Sequence, residues 1–307
     1  MNKKALTITY IVKAFPLNYD EGYGNVSIAK KIHRGSSETY LFTSRQALRY
    51  SLVNWLVENK YWEFALLTSA EGVIQYDPNQ LKKELPPEAD LFGYMITAGK
   101  KAQAISRPAV ARLTHLISLE PWYGDQELLT NKNFFDRLSE KGKEKKEGPD
   151  MANIETGYGY YKYTLSVDLD KVGEDENFGH SLPIEKKIKR VCNLIEATKF
   201  LYRDVRGRRE DLKPLFVIGG VYHMKSLFFH NAVNLEFRKP KFLINWEAIK
   251  GILETEYEFK GEKVKIKDLT LIGIQKNEFL NELPIEKTPL EVLEEIKKKV
   301  KEAFEEE

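Results

Sequence analysis

The chain reads as an α+β protein built on a split βαβ–βαβ sheet of ferredoxin or RRM type, interrupted by insertions. Three observations predict this. Two segments, Leu6–Val12 and Tyr160–Leu169, alternate apolar and polar residues with the period of a strand. Two others, following Thr43 and spanning Leu182–Tyr202, place apolar residues at helical spacing. Long polar or proline-bearing stretches separate them, giving the order strand, helix, strand, insertion, strand, helix, strand.

In the first strand Leu6, Ile8, Tyr10 and Val12 share one face and Thr7, Thr9 and Lys13 alternate with them. Although MNKKALTITYIV begins with lysines and an apolar run, this alternation and the absence of a small-x-small site in KAFPLN read as mature protein. Asn18–Asn25, rich in Gly, Asn and Asp, reads as a loop, and Ile28–Gly35 is a basic stretch. Thr43 stands three residues before Gln46, the spacing of a capping box, and Leu48, Leu52, Trp55 and Leu56 continue a helix from it. Residues 60–89 hold Pro78, Pro86 and Pro87 without sustained periodicity and are expected to be an insertion.

Asp90–Met95 reads as a buried strand and Gly99–Arg107 as a polar, basic loop. Pro108–Leu119 mixes apolar residues with Arg112 and His115. Trp122–Thr156 is polar, and Glu140–Asp150 is a charge-dense loop. The next strand turns Tyr161, Tyr163, Leu165, Val167 and Leu169 one way and Tyr160, Lys162, Thr164 and Ser166 the other. The following helix carries Ile184, Ile188, Val191, Ile195 and Tyr202, with Lys186, Lys187, Lys189 and Arg190 between them. Pro214–Tyr222 and Val264–Ile274 read as strands. Thr288-Pro289-Leu290-Glu291 is a capping box with Pro at the first helical position, opening a last helix on Leu293, Ile296, Val300 and Phe304.

Composition bounds the function. The 307 residues are 42% hydrophobic and 31% charged, too apolar for a disordered chain and too polar for a polytopic membrane protein. The single cysteine, Cys192, excludes an intramolecular disulfide and Cys-based zinc motifs, and fits a reducing cytoplasm. The 48 basic and 46 acidic residues leave a net charge of +2, so nucleic-acid binding would depend on where the cations sit.

One place concentrates them. A helix capped at Thr43 would leave the N–H groups of Ser44, Arg45 and Gln46 open, with the helix dipole favouring a phosphate. Arg45 and Arg49, four apart, share a face, and Lys30, Lys31 and Arg34 lie upstream. The bland alternative is a solvated basic helix face. Gly22–Gly24 lacks dinucleotide-loop spacing, no phosphate-loop signature exists, and Met224–Ser226 lacks the glycine before its lysine.

Gly157–Tyr163 overlaps the RNP1 pattern, with Thr156 replacing the basic residue and Tyr161 the valine. Tyr158 and Tyr160 could stack bases there, or simply pack. The acidic run Asp168, Asp170, Glu174, Asp175 and Glu176 departs from an EF-hand because Val172 takes a ligand position. Of His33, His115, His180, His223 and His230, only His223 and His230 suggest an acid–base pair. Cys192 has no activating motif beside it.

Taken together, GYGNVSIAKK, SRQALR, DLFGYM, RPAVARLTHLISLEP, YGYYKYTLSVDLDKVG and FVIGGVYH stand in the order of one family. Over nearly its whole length the chain resembles the crRNA-tiling backbone subunit of type I CRISPR Cascade complexes, in the DevR branch associated with subtype I-B, within the RAMP superfamily. The resemblance implies an RRM-like palm (1–59, 90–120 and 157–275), a finger at 60–89, a thumb at 121–156 and a helical tail at 276–307. It implies copies that polymerise along CRISPR RNA and join other Cascade subunits in the cytoplasm, with target DNA pairing to the guide. Ser44, Arg45, Gln46 and Arg49 would grip the RNA backbone, with Lys30 and Lys31 on the loop leading there. Met95 would wedge against a displaced base.

The resemblance implies neither a cofactor nor a metal and no membrane partner. Related type III subunits cleave RNA with an acidic residue on the loop that here holds Asp20, but the type I branch does not. The expectation is therefore a non-catalytic RNA binder. The alternatives are a RAMP-type endoribonuclease using a histidine or Asp20, and a scaffold whose cations meet an acidic protein.

Overall fold

A computed structural model describes residues 3–35, 37–70, 72–97, 104–140, 148–280 and 285–306. Its centre is the first expected strand, β1 (Ala5–Ala14), buried along nearly its whole length. The other main strands are β2 (Glu38–Thr43), β3 (Leu116–Ser118), β4 (Gly159–Asp168), β5 (Phe216–Tyr222) and β6 (Thr270–Ile274). They lie side by side in the order β6–β5–β1–β4–β3–β2, every neighbour antiparallel. Lys31–Arg34 extends the edge beyond β2, and Ala111–Leu113 adds to β4 beside β3.

The alternation read from the sequence decides which side chains enter the core. Leu6, Ile8, Tyr10 and Val12 of β1 share one buried cluster with Tyr161, Tyr163, Leu165 and Val167 of β4. Tyr10 and Tyr163 stack at 4.6 Å. Three helices cover this face: α1 (Arg45–Glu58), α2 (Ile184–Lys199) and α3 (Pro289–Glu305), through Leu52, Val191, Ile195, Leu293, Ile296 and Phe304. The capping box at α3 is present in both directions: Thr288 Oγ1 accepts from the Glu291 N–H and Glu291 accepts from the Thr288 N–H.

The second face departs from the expectation. Ile11, Phe216, Ile218 and Tyr222 lie against Phe229, Val233, Ile244, Trp246 and Ile249, so the sheet is buried on both sides. Tyr160, Lys162 and Thr164, expected on the polar side of β4, are therefore buried as well. The Lys162 ammonium donates to Val233 O (2.8 Å) and Asn234 Oδ1 (3.2 Å). Burial, followed by the Arg34 charge, lowers its pKa to about 8.

Between about pH 8 and 10.5 the unfolded chain thus holds a proton that the folded chain has released. Lys162 costs stability in full below pH 8, and the cost fades as pH rises through that window. Urea midpoints at pH 7 and pH 9.5 should therefore show Lys162→Met gaining on wild type at pH 7, with the difference shrinking at pH 9.5. A pH-independent difference would contradict this account.

Other expectations are corrected. Asp90–Met95 is not one strand. Pro87–Phe92 is a helix, and Tyr94–Ile96 pairs with Ile105–Arg107 instead of the main sheet. Gly93 makes the break at φ +73, where an added Cβ would meet Arg107 O at 2.5 Å. The strand between α1 and β4 is therefore supplied by Ala111–Leu113 and β3. Lys31–Arg34 of the basic stretch is a hairpin arm, not a loop.

The 60–89 insertion holds the hairpin Leu67–Ala70/Val73–Tyr76 and the helix Pro78–Lys83. Its own cluster of Leu81, Leu85, Ala89, Tyr94 and Ile96 carries it beyond residue 89. Within 122–156, Gln126–Thr130 and Met151–Glu155 pair around the helix Lys132–Ser139, and Met151–Glu155 also runs parallel to Val26–Ser27. Val264–Ile274 is split by a 3-10 turn at Ile266–Leu269. The starts of the Gly99–Arg107 and Glu140–Asp150 loops fall largely outside the described residues. Among the described residues no helix is long and apolar enough to cross a membrane.

Candidate nucleic-acid interface

The basic cluster begins where β2 hands over to α1. Thr43 remains in the sheet opposite Leu116 and is buried, so it does not cap the helix. Ser44 does: at φ −62 and ψ 146 its Oγ accepts from the Ala47 N–H (3.2 Å) and from Asn18 Nδ2 (3.2 Å). The Arg45 N–H donates to His115 Nδ1 (3.1 Å). Of the first three helical N–H groups, only that of Gln46 is left open among the described residues. Of the expected cradle of Ser44, Arg45 and Gln46 donors, only that of Arg45 is occupied among the described residues, and exposed side chains add the charge.

Arg45 and Gln46 are exposed, and the Arg45 guanidinium meets no carboxylate among the described residues. Arg49 is half-buried: it donates to Tyr76 Oη (2.9 Å) and Glu88 (3.3 Å) and lies 4.9 Å above the Phe92 ring. Lys30 faces Asp20 at 3.7 Å. Lys31 is engaged by both oxygens of Glu155 (2.7 Å each) and sits 4.2 Å from the Trp122 ring. Glu155 also accepts the Ala29 N–H (2.8 Å), so this pair fastens the loop to the hairpin at 126–155. Met95 is 63% exposed, its neighbours Tyr94 and Ile96 pointing inward.

Sequence reasoning missed two cations. Register with β4 sets Arg112 opposite Ser166, beside the start of α1. There Arg45, Arg112 and Leu113 line two adjoining clefts, one reaching Gln46, Arg49 and Phe92, the other Ser166, Lys225 and Leu227. A third cleft continues past Arg112 and Lys225 to Lys171. Arg112 is half exposed and pairs with Asp168 (2.9 Å), while Lys225 pairs with Asp170 (2.6 Å) and Asp168 (3.6 Å). No short motif could have found them, because the sheet brings together residues more than 50 positions apart.

The remaining candidates resolve differently. Four carboxylates of the acidic run are occupied by protein partners, Asp168 and Asp170 as above, Glu174 by Lys187 and Asp175 by the Tyr94 hydroxyl (2.7 Å), while Glu176 is exposed. His223 bonds Tyr257 Oη (2.9 Å) and His230 bonds Thr164 Oγ1 (3.0 Å), so the two rings are committed to different partners. Burial lowers both their pKa values. Cys192 is buried beside α3 and burial raises its thiol pKa. Tyr160 is buried with its hydroxyl on Glu278, whereas Tyr158 is 59% exposed.

Comparison with known proteins agrees with this architecture. No curated protein matches the chain. A solved chain from a "CRISPR RNA-guided surveillance complex, pre-nicking" is similar in fold, with TM-score 0.51 and 12% identity over 74% of this chain and 81% of that one. Another, from a "CRISPR RNA-guided surveillance complex", gives TM-score 0.47 and 11% identity over 80% of each. The model of the family described as "CRISPR-associated negative auto-regulator DevR/Csa2" matches residues 6–237, and the chain therefore belongs to the DevR/Csa2 family.

Proposed function

We propose that this chain binds the backbone of CRISPR RNA without reading its sequence, as a non-catalytic, repeating subunit of a surveillance complex that presents the guide to target DNA. The observation that carries this reading is the groove at the start of α1, where Arg45, with no carboxylate partner among the described residues, stands beside Arg112, Arg49 and Lys225. Family membership and a fold neighbour from an RNA-guided complex support it.

Contacts of this kind go to phosphate and sugar, which suits a guide whose letters vary while the subunit does not. The strand order β5–β1–β4–β3, with α1 and α2 as crossovers on one face, supports the reading of a ferredoxin-like palm. Burial of the other face removes the surface that a single RRM would use. In this reading residues 60–89 and 121–156 are finger and thumb and 276–307 the tail. Ser44, Arg45, Gln46 and Arg49 line the RNA path, Lys30 and Lys31 shape the loop beside it, and exposed Met95 is the wedge. Copies of the chain and other Cascade subunits are its partners.

A filter-binding titration of single-stranded RNA tests it. Arg45→Ala with Arg49→Ala should weaken binding for every sequence tried. It should also flatten the slope of log K against log salt by about 0.7, the share of one lost phosphate contact, because Arg49 is already paired with Glu88. Unchanged affinity would remove the groove from consideration. Mg²⁺-dependent cleavage abolished by Asp20→Asn would instead favour the endoribonuclease.

A further inference from the structure

We propose that the end of the sheet remote from the Arg45 groove carries a second, base-stacking site for single-stranded nucleic acid, formed by Phe15 and Tyr158, with Arg206 at the tip of the hairpin whose Arg208 lies over Phe15. It rests on the reading that the chain binds nucleic acid, but on none of the groove's residues. The groove lies level with the start of β1, where Arg112 faces Ser166 and Ser166 faces Thr7. Phe15 and Tyr158 lie just beyond Ala14 and Gly159, the last pair of the β1–β4 ladder. At about 3.3 Å per residue the two places are roughly 25 Å apart.

The two rings approach to 4.7 Å at 37°, and both stay open to solvent, Tyr158 at 59% and Phe15 at 37%. Adjoining exposed rings mark an interaction surface more often than scattered ones do. Cations surround them. The Lys13 ammonium is 5.2 Å from the Tyr158 centroid, and the Arg208 guanidinium is 5.1 Å from that of Phe15. Arg206 lies 4.5 Å from the ring of Tyr19. Arg206 and Gly207, both at positive φ, form the tight turn between Tyr202–Val205 and Arg208–Asp211, which carries Arg206 to the hairpin tip.

Carboxylates are present too: Glu278 is 3.6 Å from Lys13 and Glu210 is 3.4 Å from Arg208. Arg206 has none among the described residues. A half-open aromatic pair, with an uncompensated guanidinium at the tip of the hairpin that packs on it through Arg208, matches a nucleotide, whose base offers a π-face and whose phosphate offers the charge. An acidic protein would leave the rings unused. Tyr160, buried and bonded to Glu278, takes no part.

The test uses the full chain and fluorescence anisotropy with two labelled oligomers of equal length, one of adenosine nucleotides and one abasic. Wild type should bind the adenosine oligomer about ten-fold tighter. Phe15→Ala with Tyr158→Ala should abolish that preference without altering the salt slope, and Tyr158→Phe should retain it. Arg206→Ala should lower the slope by about 0.7. Arg45→Ala with Arg49→Ala should weaken both oligomers alike.

If the groove variant has no effect while the aromatic variant loses the preference, the groove is wrong and the platform stands. If the aromatic variant keeps the preference, the platform is wrong whatever the groove does. Tighter binding of the ribose oligomer than of its deoxy counterpart would assign the platform to the guide, and the reverse to the target strand. Loss of self-association by the aromatic variant with oligomer binding intact would give the patch to a protein partner and overturn the proposal.

Discussion

Replacing Asp90 with alanine is expected to lower the unfolding free energy by about 3–5 kcal/mol, the cost of stripping a buried charge of its partner. Asp90 is fully buried. Its Oδ1 accepts from Arg107 Nη2 (2.6 Å) and its Oδ2 from Arg190 Nη1 (2.5 Å). Both oxygens also meet the Gly173 N–H (3.0 and 3.1 Å). Arg107 continues to the carbonyls of Lys171 and Glu174, and Arg190 to that of Leu85.

One carboxylate therefore fastens the insertion after α1, the connection following β4, and α2 itself. Alanine would leave two guanidiniums, each about nine-tenths buried, facing one another without a counter-charge. Asparagine keeps an acceptor for the Gly173 N–H and should fall between wild type and alanine. Urea denaturation followed by circular dichroism measures this. A loss below about 1 kcal/mol for Asp90→Ala would mean that the insertion is held by its own cluster and not by this network.

Reversing the charge at Arg45 and Arg112 together is expected to weaken single-stranded RNA binding by 100-fold or more while leaving the fold intact. Each charge-assisted hydrogen bond lost is worth about 1.5–3 kcal/mol, and the introduced carboxylates add repulsion. Arg45 is exposed and has no carboxylate partner among the described residues, so its removal strands no buried group there. Arg112 is half exposed, and Arg112→Glu sets a second carboxylate against Asp168, making the groove more acidic still.

Lys31→Ala supplies the contrast. Because Lys31 is already neutralised by Glu155, its loss should scarcely change affinity but should loosen the loop it fastens. Electrophoretic mobility shifts on several unrelated RNA sequences, with near-ultraviolet spectra as the folding control, would separate these outcomes. A reversal that binds as wild type does would exclude this groove as the RNA path.

Much of this molecule was legible in one dimension. The period-two pattern of β1 and β4 correctly assigned Leu6, Ile8, Tyr161 and Val167 to one core, because a strand in a sheet has no freedom to turn consecutive side chains the same way. The capping box of α3 appeared as read, since it is made by residues three apart on a single backbone. The opening of α1 was misread by one residue. Thr43 and Ser44 are both good caps, and only pairing with Leu116 kept the threonine in the sheet. Asp90–Met95 was apolar enough for a strand, but the helix opened by Pro87 runs through Phe92 and the Gly93 turn divides the segment between helix and hairpin.

The basic helix face was visible from spacing, yet its working charge was not. Whether a cation is free depends on what stands opposite, and Glu155 for Lys31 and Glu88 for Arg49 come from distant parts of the chain. Arg112 and Lys225 escaped notice for the same reason. Sequence by itself determined the alternation, the helical stripes, the caps made of local residues and the family pattern, all properties of neighbours along a backbone. Only tertiary structure decided that the second sheet face is covered, that Asp90 binds three parts of the chain, and which cations remain open to solvent. Those outcomes depend on contacts whose separation in sequence carries no periodic signal, and they become defined only when the strands find their register.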